Sequence, residues 1–232
     1  MNKKAIGIIG GMGPEASQHF YKLLIYYAQK DYGVVKNGEF PEIYLASIPV
    51  QDFINSNKKQ KEALKMLKSR VRQMNKLPIS FFCLACNTAH LLIDELRKET
   101  NKPFVSLLEE LPAALLKSKI KKVGLLATPT AIKSEMYQEV MKKKGLEVVV
   151  PDDGDQRLLG KIIAETIAGK NYEENGVKVQ KIARTLLDRG AEGIIEACTE
   201  IPLIFPKQHL VPVFDTLDIL AKAVLERYYL LK

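Results

Sequence analysis

The stretch ISFFCLACNTAH, residues 79–90, is an apolar run that stops at Cys86 and passes directly into a polar segment. A second stretch, GIIEACTEIP at residues 193–202, has the same layout around Cys198. Each stretch predicts a strand that ends at a cysteine, with a helix beginning just after it. One cysteine in such a place is usually a core residue, whereas two in matching contexts indicate a paired site.

Apolar segments of strand length alternate with longer helical patterns along the chain. The strand segments are rich in Ile, Val, Leu and Phe with little polar alternation, as expected when both faces of a sheet are covered. They are residues 5–9, 42–47, 79–85, 104–106, 122–127, 147–150, 193–197 and 211–214. The helical segments are residues 15–29, 59–74, 89–98, 134–144, 158–168 and 176–189. This alternation predicts an α/β protein with parallel strands and right-handed crossovers.

The chain also repeats its own pattern. IGIIG at residues 6–10 matches VGLLA at residues 123–127, and a cysteine motif follows each at a similar distance. Each cysteine is then followed by a helical pattern, a proline-containing strand and another helical pattern. Two copies of one α/β unit explain these matches, and generic α/β patterning is the alternative. Since open α/β sheets place their sites beyond the carboxyl ends of strands, the repeat predicts that both cysteines face one cleft.

Composition narrows the class of protein. The 232 residues, 47% of them hydrophobic, suffice for a substantial core in two small domains or one large one. No apolar run reaches the roughly 18 residues of a membrane span, so we expect no membrane partner. Three cysteines do not form a disulfide framework, which favours a reducing compartment and predicts a cytoplasmic protein.

The formal net charge of +8 raises the question of a nucleic-acid partner. The lysines lie in short clusters at helix ends or on helix faces, without interleaved aromatic residues, and arginine is scarce. The features that read bases or stack on them are therefore missing. We interpret the clusters as solvated surfaces and expect no nucleic-acid partner.

A glycine-rich turn, GGMGP at residues 10–14, links the first strand to the first helix. Its spacing departs from the G-x-G-x-x-G of a dinucleotide loop, and Pro14 begins the helix. Two further interpretations are open. The glycines permit a tight turn and nothing more, or their bare backbone forms a polar wall for a small anionic ligand.

The cysteine motifs carry the strongest chemical signal. The pair Cys83 and Cys86 resembles a redox or zinc half-site, but positions three apart on a strand point to opposite faces. A second cysteine pair is lacking, and His90 alone does not complete a tetrahedral zinc site. We therefore expect Cys83 to lie in the core and Cys86 to face a site.

Helix starts just after Cys86 and Cys198 would lower the pKa of each thiol. The predicted caps are Asn87 or Thr88 in the first motif and Thr199 or Glu200 in the second. For either motif alone, the alternative is a buried cysteine beside an ordinary cap.

Three other positions are weaker candidates. Thr128 ends the fifth strand, where the repeat places Gly11, and its hydroxyl either contacts the same ligand or caps the following helix. His19 and His209 are expected to be core or surface residues rather than catalytic groups.

Taken together, these motifs resemble the aspartate/glutamate racemase family. The matching segments run in order over nearly the whole chain: residues 10–14, 86–90, 124–128 and 197–203. The resemblance implies two pseudo-symmetric parallel-sheet domains, flavodoxin-like or Rossmann-like, with the active site between them. The first is expected to span residues 1–101 and 213–232, and the second residues 102–212. The resemblance also implies a homodimer that needs neither pyridoxal phosphate nor a metal.

The same resemblance assigns roles to individual residues. Cys86 and Cys198 are implied to be the catalytic acid–bases, one thiolate taking the α-proton from one face of an amino acid and the other thiol returning a proton to the opposite face. The α-carboxylate and ammonium of the substrate are implied to contact polar side chains and bare backbone at Met12, Gly13, Asn87, Thr88, Thr128 and Thr199. Glu200 is implied to orient the ammonium or a neighbouring residue.

Two positions bear on the substrate. Aspartate-acting members of the family carry an arginine near Gln51 and a lysine near Ile167, and this chain has no charge at either position. A neutral amide binds a carboxylate more weakly than a guanidinium does. The expected activity is therefore aspartate/glutamate-like amino-acid racemisation without strict aspartate specificity, and a glutamate-acting or broad-specificity enzyme is at least as consistent with these positions. Hydantoin racemase or another isomerase of the superfamily, a non-catalytic amino-acid-binding protein and a nicotinamide-dependent reductase are the alternatives.

Overall fold

The computed structural model describes residues 4–50, 57–206 and 211–230. The strands in these ranges are β1 Ala5–Gly10, β2 Glu42–Ser47, β3 Phe81–Leu84, β4 Phe104–Val105, β5 Lys122–Ala127, β6 Glu147–Val149, β7 Gly193–Ala197 and β8 Val213–Asp215. The α-helices are α1 Pro14–Tyr32, α2 Asn57–Met74, α3 Ile93–Arg97, α4 Leu107–Lys117, α5 Pro129–Lys133, α6 Met136–Lys142, α7 Asp153–Ile167, α8 Tyr172–Asp188, α9 Ile201–Ile204 and α10 Thr216–Leu230. Short 3₁₀ helices occupy Asn37–Glu39 and Thr88–Leu92.

The first compact unit comprises Met1–Ser106 and Leu217–Lys232. It contains a parallel four-stranded sheet of order β2-β1-β3-β4. The two central strands are buried along their whole length, and the edge strand β2 is partly exposed. Burial of both faces of β1 and β3 accounts for their unbroken apolar sequences.

The second compact unit comprises Leu107–Thr216 and repeats this topology. Its sheet is also parallel and has the order β6-β5-β7-β8. The central strands β5 and β7 are almost entirely buried, whereas β6 and β8 form the partly exposed edges. The α/β fold with two parallel sheets, predicted from the sequence, is confirmed, and the shared strand order agrees with the repeat in the sequence.

Both sheets have a topological switch point. In the first sheet the chain proceeds outward in one direction from β1 to β2 and in the other from β3 to β4, so the switch lies between β1 and β3. In the second sheet it lies between β5 and β7. Ligands of open α/β sheets bind outside the carboxyl ends of the strands at this place. The residues that follow these four strands are therefore the candidates for a site.

Strand pairing places the borders of the units a few residues away from those expected. β4 pairs with β3, with Val105 opposite Cys83, so the first unit continues to Ser106. β8 pairs with β7, so this strand belongs to the second unit, and the return to the first begins at Leu217. Strands of two or three residues, such as β4 and β8, are stabilised by hydrogen bonds to the neighbouring strand. The sequence pattern does not reveal which neighbour that is.

Several predicted helices begin, end or break differently in the structure. The segment 89–98 divides into the 3₁₀ helix Thr88–Leu92 and α3. The segment 134–144 is preceded by the unpredicted helix α5 and shortened to α6, because Glu135 adopts a left-handed φ of 57° that a continuous helix does not allow.

Each sheet carries a core in which one of the two cysteines takes part. Cys86 packs with apolar residues of α2 and β3, and Cys198 packs with apolar residues of α7 and α8. The two cysteines thus occupy equivalent places in two similar cores. No helix in the described parts of the chain is long and apolar enough to cross a bilayer.

Candidate active site

Cys86 lies just beyond the carboxyl end of β3 and is only 6% exposed. The polar residues that follow it, Asn87 and Thr88, are also buried. The cap position, predicted at Asn87 or Thr88, lies at Asn87, but this residue has helical backbone angles and its side chain makes no cap bond. The 3₁₀ segment is short, which limits the helix-dipole effect expected on the Cys86 thiol.

His90 supports the turn that carries Cys86. Its Nδ1 lies 2.9 Å from the carbonyl oxygen of Cys86, in a buried position. Burial lowers the pKa of His90 to about 4, more strongly than the carbonyls of Cys86 and Asn87 raise it, and Arg97 lowers it further. The imidazole is therefore neutral near pH 7. Because a carbonyl oxygen only accepts hydrogen bonds, the proton lies on Nδ1.

Cys198 lies just beyond β7, is 4% exposed and has a carboxylate as its partner. Its Sγ donates to Oε2 of Glu200 at 3.0 Å, and the hydroxyl of Thr199 donates to the same oxygen at 2.9 Å. Glu200 stands at the cap position of α9 but makes no side-chain cap bond. The carboxylate is turned toward the thiol instead, where it can accept the thiol proton.

The glycine-rich turn after β1 is held from two sides. Gly11 has a φ of +90°, and a Cβ at this position would lie 2.2 Å from the backbone nitrogen of Ile48, so only glycine fits. Ser17 on α1 accepts a hydrogen bond from the Gly11 N–H at 2.8 Å and donates one to the Gly13 carbonyl at 3.1 Å. Met12 packs against the core of the first sheet. Ser17 was not predicted from the sequence, although the turn motif leads directly to it on the next helix.

Thr128 directly follows β5, as Gly11 follows β1 in the first unit, and its hydroxyl caps α5. The side-chain oxygen accepts a hydrogen bond from the N–H of Ala131 at 3.2 Å, and Pro129 occupies the first turn. Gln156, which was also not predicted from the sequence, donates from Nε2 to the carbonyl of Ala127 at 3.0 Å. Its position on α7 brings a side-chain amide to the end of β5.

The remaining candidate positions are Ile167, His19, Gln51, His209 and Cys83. Ile167 lies at the end of α7 and is 46% exposed, and His19 is partly buried on α1. Gln51 and His209 lie outside the described residues. Cys83 is fully buried in β3, and burial raises the pKa of its thiol, which fits the core role expected of it. Among the described residues, no group of His, Cys, Asp and Glu side chains is arranged to hold a metal ion.

Strand pairing brings the site candidates of each unit together. In the first sheet Ile9 pairs with Leu84, which places the glycine turn beside Cys86. In the second sheet Ala127 pairs with Ala197, which places Thr128 beside Cys198. Each switch point thus holds one cysteine and one polar turn.

The profile of the Asp/Glu/Hydantoin racemase family matches residues 9–224 of this chain, which include both cysteine motifs and the whole glycine turn. The chain belongs to the Asp/Glu/hydantoin racemase family. The family predicted from the sequence motifs is therefore confirmed.

Individual members of the Asp/Glu/hydantoin racemase family match over nearly their whole length. The broad specificity amino-acid racemase RacX of Bacillus subtilis (strain 168) is 28% identical over 224 residues, covering 96% of this chain and 97% of RacX. An aspartate racemase homologue from Pyrococcus horikoshii OT3 is 31% identical with a TM-score of 0.79, covering 96% and 97% of the two chains. Picrophilus torridus aspartate racemase shares the fold, with a TM-score of 0.83 at 24% identity and coverage of 96% and 93%.

Proposed function

We propose that this protein is a cofactor-independent amino-acid racemase in which Cys86 and Cys198 are the two acid–base groups. One observation carries the proposal: the two cysteines follow equivalent strands, β3 and β7, at the switch points of two sheets with the same strand order. Membership of a racemase family supports the reaction class. A paired site made by a repeated unit suits a reaction that needs one group on each face of the substrate.

Racemisation proceeds by two proton transfers. A thiolate removes the α-proton from one face of the amino acid, and the electron pair of the broken C–H bond stays on the α-carbon and its carboxylate. The thiol of the other cysteine then gives its proton to the opposite face. The product is the other enantiomer, and the two cysteines have exchanged thiol and thiolate forms. The proposal therefore includes a shared cleft in which both sulfurs reach one α-carbon.

Glu200 is the proposed proton acceptor for Cys198. Its Oε2 lies 3.0 Å from Sγ, which is the distance at which a carboxylate can receive the thiol proton and return it. The Thr199 hydroxyl donates to the same oxygen and keeps it oriented. This role replaces the orientation of the substrate ammonium as the principal contribution that we assign to Glu200.

Polar groups at the strand ends are the proposed substrate contacts. Hydrogen-bond donors on the α-carboxylate stabilise the charge that develops when the α-proton leaves. The contacts are the backbone at Met12 and Gly13 and the side chains of Asn87, Thr88, Thr128 and Thr199. For Thr128, the cap bond to Ala131 uses the hydroxyl oxygen as an acceptor, and a hydroxyl can donate as well as accept.

Broad specificity is the proposed substrate range. Ile167 offers no charge to a side-chain carboxylate, and Gln51 is a neutral amide. The likeness to RacX, a broad specificity amino-acid racemase, supports the same conclusion. Free glutamate and neutral amino acids are accordingly both expected among the substrates.

A deuterium-exchange screen tests the reaction. We would incubate the protein in heavy water with D- and L-amino acids, including Asp, Glu and several neutral ones, and with a substituted hydantoin, without added cofactor. Exchange of the α-proton with loss of optical purity is expected for several amino acids. Exchange with the hydantoin alone would indicate a hydantoin racemase, and binding without exchange would indicate an amino-acid-binding protein. Full activity in Cys86→Ser or Cys198→Ser would contradict the two-base mechanism.

We further propose a homodimer that acts in the cytoplasm, as the family resemblance and the cysteine content suggest. Light scattering coupled to size exclusion would give twice the chain mass of 26.1 kDa. A mass equal to one chain at micromolar concentration would contradict the dimer.

A further inference from the structure

His90 is a buried titratable residue to which the mechanism above gives no task. It is 2% exposed, and its Nδ1 is bonded to the carbonyl oxygen of Cys86 at 2.9 Å. The backbone N–H of His90 also donates to the carbonyl of Asn87 at 3.0 Å. One residue thus binds two successive carbonyls of the turn that carries a proposed acid–base group.

The bond from Nδ1 fixes the direction of one peptide plane. The carbonyl of Cys86 points along the chain toward His90, and in a planar trans peptide the N–H of Asn87 points the opposite way. If the peptide plane between Cys86 and Asn87 were flipped, the Cys86 carbonyl oxygen would point where the Asn87 N–H now points. A nearby N–H favours a thiolate, whereas a carbonyl oxygen disfavours it.

We infer that His90 is a positioning residue for Cys86, which it holds in its reactive orientation through a neutral imidazole that donates from Nδ1 to the Cys86 carbonyl. The inference deepens the proposed function and rests on the assignment of Cys86 as an acid–base group. His90 itself need not touch the substrate.

A matched pair of neutral amides separates this role from simple filling of space. In His90→Asn the amide nitrogen takes nearly the position of Nδ1, so the bond to Cys86 can persist. In His90→Gln the amide nitrogen lies nearer the position of Nε2, so the bond is lost. Both variants are uncharged and polar, and they differ mainly in the reach of the donor.

The first measurement is alkylation of Cys86 by iodoacetamide as a function of pH, followed by peptide mass spectrometry. In His90→Asn the midpoint should stay within about 0.3 pH unit of the wild type. In His90→Gln it should rise by about one unit, which means a roughly tenfold lower thiolate fraction at a pH below both midpoints. Alkylation of Cys198, which lies in the other unit, shows whether a variant changes thiol reactivity in general. Alkylation of the fully buried Cys83 shows whether the protein unfolds.

The second measurement uses α-deuterated enantiomers of the best substrate from the exchange screen. When only Cys86 is misplaced, its proton transfer limits the rate more strongly. The primary isotope effect should therefore rise for the enantiomer that Cys86 deprotonates and fall for the other. His90→Gln should show this asymmetry, and His90→Asn should not.

The outcomes separate the inference from the function on which it rests. An unchanged Cys86 midpoint in His90→Gln, or an equal shift in both variants, would overturn the role of the Nδ1 donor. Failure of the wild type to exchange the α-proton would instead refute racemisation, while the alkylation midpoints would still decide whether His90 positions Cys86.

Discussion

Individual residues make the surroundings of the two cysteines chemically different. The thiol of Cys198 donates a hydrogen bond to the carboxylate of Glu200, whereas the imidazole of His90 is hydrogen-bonded to the carbonyl oxygen of Cys86. The equivalent cysteines are thus supported by an acid side chain in one unit and a neutral imidazole in the other. We expect substitutions at Glu200 and His90 to impair different proton transfers.

Replacement of Glu200 by Gln should slow racemisation about 100-fold, because the amide keeps the size of the side chain but cannot accept the thiol proton. Steady-state rates in both directions, measured by chiral chromatography, would show the loss. Glu200→Asp is the control, since it keeps a carboxylate acceptor on a shorter side chain. A Glu200→Gln variant with wild-type turnover would remove Glu200 from the proposed mechanism.

His90 should make the protein less stable in acid. Its pKa is about 4 in the folded protein, against 6.5 as its ordinary value, so the unfolded chain binds more protons between these values. The free energy of unfolding should therefore fall as the pH drops from about 6.5 to about 4, by up to about 3 kcal/mol. Urea unfolding over this range measures the effect. His90→Asn should lack this part of the decline, and an identical pH dependence in both proteins would contradict the expectation.

The secondary-structure elements place functional groups at their ends. β1, β3, β5 and β7 are the central strands of the two sheets, and a candidate residue or turn follows each of them. The apolar strands supply a rigid base, and the short turns after them expose backbone and polar side chains. The turn after β1 is constrained on two sides, by the hydrogen bond from Gly11 to Ser17 and by the close approach of the Ile48 backbone to Gly11.

Gly11→Ala should disrupt this turn far more than an ordinary change at a glycine with positive φ. The added Cβ would lie 2.2 Å from the Ile48 nitrogen, so the backbone of the turn must move. Gly33→Ala is the matched control, because Gly33 also has a positive φ, of 67°, but a Cβ added there would meet no atom within 4 Å. We expect Gly33→Ala to cost about 1 kcal/mol of unfolding free energy. Gly11→Ala should cost at least about twice as much and raise the KM for the substrate.

Urea unfolding and steady-state kinetics on the two glycine variants check this expectation. Equal losses of stability would show that the left-handed conformation alone matters. An unchanged KM in a folded Gly11→Ala variant would argue against a role of the turn in substrate binding.

At the scale of the whole molecule, the same topology occurs in both units, and each unit carries one of the two proposed acid–base cysteines. A two-base racemase uses both groups in every turnover, so loss of either one should stop the reaction. The proposed chemistry therefore depends on the equivalent positions of the two cysteines, after β3 in one sheet and after β7 in the other.

The double variant Cys86→Ser/Cys198→Ser should be no slower than either single variant. Each single change should lower kcat/KM by about 1,000-fold or more, and residues that act as one unit show strongly non-additive losses. Chiral chromatography of all three variants gives the comparison. Losses that multiply in the double variant would mean that the cysteines act in independent sites.

Much of the fold can be predicted from local sequence. The strands at Glu42–Ser47, Lys122–Ala127 and Gly193–Ala197 agree with the predicted segments at both ends. Apolar runs, glycines and prolines act over a few residues, so their consequences are visible without the rest of the chain. For the same reason, both cysteines could be assigned to strand ends from their flanking residues alone.

The sequence by itself thus determined the α/β class, the repeated unit, the family motifs and the places of Cys86 and Cys198. Only the tertiary structure decided that β8 joins the second sheet, that Ser17 holds the glycine turn, and that Glu200 and His90 support the cysteines in different ways. These features depend on strand pairing and on side-chain directions at turns, where helical, strand and cap conformations are close in energy. Packing of the whole unit determines which of these conformations is adopted, and it cannot be predicted from the local sequence pattern.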